Sequence, residues 1–380
     1  MIYLDNNATT RLDPRVLEAM MPFLTDQFAN AASTHPFGVT AHEAVKNARQ
    51  QVANTLNCEV HEIVFASGAT EAINLAIKGV AESYAHKGRH IVTVQTEHKA
   101  VLDVCHYLET RGFEVTYLPV QPDGLLDLET VRAAIRPDTI LVSVMLVNNE
   151  TGVIQPVQAI AALAHTAGAL FMTDATQAVG KMPIDVDTLG VDLLTFSAHK
   201  FCGPKGIGGL FVRQRRPNKV KLEALLHGGG HERGLRSGTL NVPGIVGLGK
   251  ALDLCRQEMP VETQHIASLR DHLETALLTI PGTRVNGNRE HRLYNTTNIY
   301  FEHCDSDAMI MGLEGMAVSN GSACTAASID PSHVLLALAL NETEAFSCLR
   351  FSLGRFNNEA DVQRAIDGVK NAVEGLRALV

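Results

Sequence analysis

Between about residues 63 and 213, short runs of β-branched and other apolar residues alternate with longer helical stretches, and this alternation restricts the fold more than any other feature of the chain. Ile63-Val64-Phe65-Ala66 precedes a helix expected over 72–84, and His90-Ile91-Val92-Thr93-Val94 precedes one over 101–110. Runs at 115–119, 140–147, 170–173, 193–197 and 209–212 continue the series. Strands separated by helices of this length build an α/β fold with a mainly parallel sheet covered on both faces. Such sheets bind ligands at the carboxyl ends of their strands. Past Leu252 the texture changes to an amphipathic helix over 261–278, a strand at 298–301, and helices over 332–340 and 358–379. This reads as a second, smaller α/β domain.

The 380 residues suffice for one large or two medium domains, and 46% apolar with 19% charged residues is the composition of a folded protein. A net charge of −9 argues against a general nucleic-acid or anionic-membrane binder, so no direct nucleic-acid binding is expected. No apolar run approaches the ~20 residues that span a bilayer. Met1 to Asp5 shows no cationic segment leading into the apolar core of a signal peptide, so no membrane partner is expected. Seven widely spaced cysteines without a Cys-x-x-Cys argue against a disulfide framework or a metal site and for a reducing cytoplasm.

Two strand ends carry polar groups of an unusual kind. Ala169-Leu170-Phe171-Met172-Thr173-Asp174 ends on a carboxylate, and the run from Val191 to Phe196 leads into Ser197-Ala198-His199-Lys200. A lysine for a Schiff base, an aspartate to keep a pyridine nitrogen protonated, and a hydroxyl and imidazole for a phosphate form the set that pyridoxal phosphate (PLP) chemistry needs. The plain alternative makes Asp174 a helix cap and Lys200 a solvated charge. Ser67-Gly68-Ala69-Thr70-Glu71 opens a helix after a strand, where backbone amides and the Thr70 hydroxyl suit a phosphate, or serve only as a cap. His98 follows another strand, placed to stack on a ring and relay protons, although a lone histidine there is more often structural. Asn149 in Asn148-Asn149-Glu150-Thr151-Gly152 offers an amide to a cofactor oxygen or substrate carboxylate, and Gln177 suits a phenolic oxygen unless it is a solvated first-turn residue.

Three further segments stand out. The run from Gly228 to Thr239 is too rich in glycine, cations and hydroxyls for a regular element, and suits close approach to an anion or a second subunit. Cys324 lies in Ser319-Asn320-Gly321-Ser322-Ala323-Cys324-Thr325, where small neighbours suit an accessible nucleophilic thiolate more than a core cysteine. Arg350, inside the apolar run Leu349 to Leu353, calls for a carboxylate: that of an amino-acid substrate, or one of the protein's own.

Together these segments resemble the cysteine desulfurases of the NifS/IscS group, fold-type I PLP-dependent transferases that take sulfur from L-cysteine and leave L-alanine. The match runs in order from Tyr3-Leu4-Asp5-Asn6-Asn7-Ala8-Thr9-Thr10 to Arg350-Phe351-Ser352-Leu353-Gly354-Arg355-Phe356. The resemblance implies a large PLP-binding domain over 13–257 with a mainly parallel seven-stranded sheet between helices. It implies a small domain from 1–12 and 258–380 that carries the catalytic cysteine loop. Lys200 would link to PLP, Asp174 pair with the pyridinium, Gln177 bond the phenolic oxygen and His98 stack on the ring. Ala69, Thr70, Ser197 and His199 would hold the phosphate, joined by Thr239 from the partner of a homodimer. Asn149 and Arg350 would bind the substrate carboxylate. Cys324 would take the sulfur as a persulfide and pass it to an acceptor protein, in iron–sulfur cluster assembly or another thiolation pathway, with His98 as the base for the thiol.

The chain departs from the family at Asn30-Ala31-Ala32-Ser33, where Asn-Pro is usual, at Asn320, where serine is common, and at Cys202 near the lysine. It ends at Val380 without the longer tail of IscS-like proteins, which leaves the acceptor open. Two other readings remain beside the desulfurase. One is a selenocysteine lyase or class V aminotransferase, the latter having no use for Cys324. The other is a PLP-fold scaffold without chemistry.

Overall fold

The computed structural model describes residues 1–215, 219–321 and 330–378. Its strands, in chain order, are Ile2–Tyr3 (β1), Ile63–Ala66 (β2), His90–Val94 (β3), Glu114–Leu118 (β4), Thr139–Ser143 (β5), Leu170–Asp174 (β6), Leu193–Ser197 (β7), Gly208–Val212 (β8), Thr283–Val285 (β9), Thr296–Phe301 (β10), Met316–Ala317 (β11) and Cys348–Ser352 (β12). β2 to β8 form the expected seven-stranded sheet, in the order β2-β8-β7-β6-β5-β3-β4. Pairing is parallel except at β8, which runs against both its neighbours. The other strands all point one way, so their carboxyl ends share one edge. β2, β3, β5, β7 and β8 are buried throughout, as a sheet with helices on both faces requires. Phe171, Phe196 and Phe211 fill one face, and Ile77, Ile91 and Leu210 the other.

The apolar run 140–147 outlasts its strand. Beyond Ser143 it stays beside β6, the Val144 and Leu146 amides bonding to the Met172 and Asp174 carbonyls at 3.1 and 3.0 Å. This brings Asn149 to the carboxyl end of β6. A second correction concerns the helix expected at 261–278, which is the last part of a helix over Val242–Leu277. Gly247, Gly249 and Pro260 read as breakers, but the two glycines mark close helix crossings. A Cβ on Gly247 would stand 2.6 Å from Met20 Sδ, and one on Gly249 2.7 Å from Ala48 Cα. Packing against Pro14–Leu24 and Pro36–Leu56 outweighs the ~1 kcal/mol that each helical glycine costs. The position 257/258 lies inside this helix.

The remaining strands form an antiparallel sheet, β12-β10-β9, and a parallel pair of β1 with β11. Ile2, Leu4, Leu273, Phe301, Phe351 and Val369 belong to a separate apolar cluster beneath them. The helix expected over 332–340 is shorter, His333–Ala337, and a separate helix, Glu342–Ala345, follows it, started by Asn341 and Glu344 in a capping box. Among the described residues no helix is long and apolar enough to cross a membrane.

The glycine-rich run 228–239 is irregular, as expected, and charge holds it down. Glu232 and Arg233 take left-handed φ values of 48° and 59°, which non-glycine residues adopt at a cost. The buried Glu232 carboxylate receives Arg49 Nη2 at 2.6 Å, Arg49 Nη1 at 2.8 Å and the Phe65 amide at 2.9 Å. Arg236 donates to Glu71 at 2.7 Å. Arg49→Ala strands the Glu232 charge in the interior and is expected to destabilise the protein by about 3–5 kcal/mol. The pair replacement Arg49→Met with Glu232→Gln leaves no buried charge and costs less. Urea unfolding of the two variants measures the difference.

Candidate active site

The shared edge of strand ends opens onto a cavity of about 510 Å³, closed on one side by Asn7, Ala8 and Thr9. Ala69, Thr70, His98, Asn149, Asp174, Gln177, Ser197, His199, Lys200 and Arg350 all line it, so the structure gathers ten of the residues singled out in the sequence. Thr239 is exposed and is not among the lining residues. Cys324 lies outside the described residues.

Asp174 ends β6 and is 5% exposed. Its Oδ1 accepts the Thr176 amide at 2.9 Å and the Thr195 hydroxyl at 3.3 Å, and among the described residues no cation forms a salt bridge with it. The Thr176 hydroxyl, also lining the cavity, is buried without a partner. A buried carboxylate without a counter-charge and an orphaned hydroxyl each carry a desolvation cost that a polar ligand removes. Glu97, behind this wall and absent from the sequence reading, lies fully buried with Oε1 accepting the Met145 amide at 2.6 Å. Burial, then the nearby Asp174 charge, push its carboxyl well above the usual range. Burial therefore favours the neutral form of Glu97.

Lys200 ends the short turn after β7, its Nζ donating to the carbonyls of Asn7 at 2.6 Å and Ala8 at 2.8 Å. Gln177 Nε2 donates to the same Asn7 carbonyl at 2.8 Å, and Gln177 Oε1 accepts from Lys181 Nζ at 2.8 Å. The buried Lys181 thereby fixes which end of the Gln177 amide faces the cavity. Burial, then the charge of Lys200, pull the Lys181 amine down to about 7.

The phosphate-like corner is built by close approach. A Cβ on Gly208 would stand 2.5 Å from the Phe196 carbonyl and 2.8 Å from Gly68 Cα, so the absent side chain lets the start of helix Ala69–Tyr84 meet the end of β7. Ser197, His199, Thr70 and Lys205 surround the first-turn amides, which have no partner within the helix. Glu71 in that turn is neutralised by Arg236 and the Ser67 amide. His199 faces Thr9 Oγ1 at 3.1 Å. Burial first, then Lys200, Lys205 and Lys181, bring its pKa down to about 4.

His98 caps helix Lys99–Glu109, Nδ1 accepting the Ala100 amide at 3.1 Å, which puts the proton of the neutral ring on Nε2. It thus fills the structural role weighed against it in the sequence and also lines the cavity. Arg350 realises the intramolecular alternative: Nη2 donates to Asp5 Oδ1 at 2.6 Å and Nη1 to the Asn149 carbonyl at 3.0 Å. Its Nε is nevertheless buried without a hydrogen-bond partner among the described residues. Cys202 stands apart from this cavity, in a pocket of about 30 Å³ shared with Cys255 and Arg355, where burial raises its thiol. Asp5, Asn7, Thr176, Lys181, Glu97 and Lys205 carried no local signal that would have selected them.

The neutral His199 generates a pH expectation. Its folded pKa is depressed, so between pH 6.5 and 4 the unfolded chain takes up a proton that the folded chain refuses. The contribution is intact above pH 6.5 and is lost as pH falls through that window. In apo-protein, His199→Gln is expected to lose less stability between pH 6.5 and 4.5 than the parent chain, as read by urea unfolding at the two pH values.

The donor set fits PLP: an unpaired buried carboxylate, an amine within the same cavity, an oriented amide and an anion-binding corner. Residues 2–365 match the family model described as aminotransferase class-V. The chain is 53% identical over 379 residues to the cysteine desulfurase IscS of Methylococcus capsulatus, covering all of this chain and 94% of that protein. A solved structure named as a NifS-like protein superimposes with a TM-score of 0.91 at 38% identity, covering 99% of each chain. One described as SspA in complex with cysteine gives 0.83 at 39% identity, covering 94% of this chain and 100% of the other. Family match, sequence identity and site geometry agree: the chain belongs to the class-V aminotransferase family and, within it, to the PLP-dependent cysteine desulfurases.

Proposed function

We propose that this chain converts L-cysteine to L-alanine and retains the sulfur as a persulfide on Cys324. The observation that carries this reading is the buried Asp174 carboxylate, which no cation among the described residues bridges, sharing one cavity with the Lys200 amine. Ala69, Thr70, Ser197 and His199 hold the PLP phosphate, Asp174 its ring nitrogen, Gln177 its phenolic oxygen, His98 its ring face and Lys200 its carbonyl carbon. Bound there, PLP supplies an electron sink that stabilises negative charge at the substrate's α-carbon.

Arg350 and Asn149 hold the substrate carboxylate, for which the unpartnered Arg350 Nε is one remaining donor. With PLP bound, the Lys200 amine would be the group that takes the α-proton. His98 exchanges protons through Nε2, because its Nδ1 is committed to the Ala100 amide. In this tautomer Nε2 carries the ring proton, so the neutral ring acts there as the proton donor. The Cys324 thiolate then attacks the substrate sulfur: a sulfur–sulfur bond forms, the substrate Cβ–S bond breaks, and its electron pair stays on carbon. Protonation completes the methyl group, so L-cysteine and enzyme thiol become L-alanine and enzyme persulfide with no external oxidant.

Residues 13–257 form the cofactor-binding unit and 1–12 with 258–380 the unit that carries Cys324, the helix Val242–Leu277 running through both. The exposed Thr239 completes the phosphate corner of a second copy in a homodimer. The persulfide goes to an acceptor protein for iron–sulfur cluster assembly or another thiolation pathway. The cytoplasm suits this thiol chemistry, and the described cysteines are all free.

The test is incubation of the PLP-loaded protein with L-cysteine, followed by intact-mass measurement and an alanine assay. One sulfur is expected on Cys324 alongside alanine. Cys324→Ala is expected to lower desulfuration at least ~10³-fold while leaving the bound-cofactor absorbance in place. Undiminished alanine release from that variant would instead mark a lyase or aminotransferase that does not use the thiol.

A further inference from the structure

Glu150 is a buried carboxyl for which the mechanism above has no use, and it stands between Asn149, which lines the cavity, and the described residues Gly321 and Ser332. On one side, the carbonyl of its neighbour Asn149 accepts from Arg350 Nη1 at 3.0 Å and from Asn7 Nδ2 at 3.1 Å. On the other, its own carboxyl meets residues on both flanks of 322–329. The Ser332 hydroxyl donates to Glu150 Oε2 at 2.5 Å. Gly321 lies so close to the same oxygen that a Cβ there would stand 2.5 Å from it.

Both flanks are fixed in turn. Ser319 and Arg350 exchange backbone hydrogen bonds at 2.6 and 3.3 Å, and the Gly321 amide donates to Ser319 Oγ at 3.1 Å. Ser332 caps helix His333–Ala337 by accepting the Leu335 amide at 3.2 Å. Glu150 itself sits in a turn held by Asn148, whose Oδ1 accepts the Glu150 and Thr151 amides at 2.9 and 3.0 Å. One rigid turn therefore presents Asn149 to the cavity and Glu150 to the roots of the Cys324 segment.

We propose that Glu150 is a positioning residue. Its carboxyl holds Ser332 by a hydrogen bond and packs against Gly321, the residues that flank 322–329 in the chain, and so registers the Cys324 thiol against a substrate held by Asn149 and Arg350. The inference rests on Cys324 being the sulfur-accepting group. Sulfur transfer needs the two sulfur atoms in near-attack geometry, and a displacement of about 1 Å costs ~10²-fold in rate. Removal of the α-proton needs only the cofactor, Lys200 and the carboxylate-binding pair. The clamp should therefore matter to one step and not to the other.

Two readouts on the holoenzymes separate them. Exchange of the α-hydrogen of L-alanine in D₂O, followed by NMR, reports proton transfer without the thiol. Quenched single-turnover mass spectrometry with L-cysteine reports persulfide on Cys324. Glu150→Ala and Ser332→Ala are expected to keep α-exchange within about threefold and to lose ~10²-fold in persulfide formation. Glu150→Gln, whose amide oxygen can still accept from Ser332, is expected to return to within about tenfold of the parent rate. An equal fall in both readouts, accompanied by a lower Tm, would reduce Glu150 to a fold-supporting residue and overturn the proposal, as would an unchanged persulfide rate in Glu150→Ala. A parent enzyme that exchanges L-alanine but places no sulfur on Cys324 would defeat the reading of Cys324 itself, and the clamp with it.

Discussion

The main-chain carbonyl of Asn7 is the point on which the cavity's geometry turns. It accepts both the Lys200 amine and the Gln177 amide, and so ties the ends of β7 and β6 to the amino-terminal segment. Every other polar group of the residue is also engaged. Its amide donates to Ser352 Oγ, its Nδ2 to Thr296 Oγ1 and the Asn149 carbonyl, and its Oδ1 accepts from Asn295. Aspartate in this position has the same shape but no donors, and would lose the bonds to the Thr296 hydroxyl and the Asn149 carbonyl. One residue, through main chain and side chain together, thus joins the parallel sheet, the turn after β5 and the antiparallel sheet of β10 and β12.

Charge around the cavity is apportioned by burial. Burial and the nearby Asp174 charge push Glu97, behind the wall, toward its neutral form. Next to Lys200, His199 is pushed toward its neutral form and Lys181 is brought down to about 7. Desolvation is the largest cause in each case, with like charge second. Like charges packed this closely cannot all ionise, so the fold selects which of them do. The cavity thus holds a buried carboxylate, Asp174, together with the first-turn amides of helix Ala69–Tyr84.

What was legible in the sequence follows the range of each contact. Asp174, Ser197, His199 and Lys200 are announced by apolar runs ending on polar groups, because strand, turn and reactive residue are contiguous. Asn7 and Asp5 carry no such signal: their partners Lys200 and Arg350 lie 193 and 345 positions away. Glu150 was quoted within a strand-end motif, but its function depends on Ser332, 182 positions on. The first part of helix Val242–Leu277 was missed for a related reason. Its glycines look like breakers until Met20 and Ala48 come to lie against them, and only tertiary structure supplies those neighbours.

The cavity's two ends come from different sheets, so their separation depends on how those sheets are fastened together. Asp174, Ser197 and Lys200 belong to the parallel sheet, whereas Arg350 lies in β12. Arg355, just beyond β12, donates to Asp13 Oδ2 at 2.7 Å and to both carboxylate oxygens of Glu262 at 3.1 and 2.9 Å. Asp13 caps helix Pro14–Leu24, and Glu262 lies midway along Val242–Leu277, the two helices that pack together beside the large sheet. Isolated surface ion pairs contribute little, but this guanidinium is mostly buried and bridges three elements, so its donors are poorly replaced by water. Arg355 therefore fixes a distance that neither sheet can fix alone, namely that between Arg350 and Lys200 across the cavity.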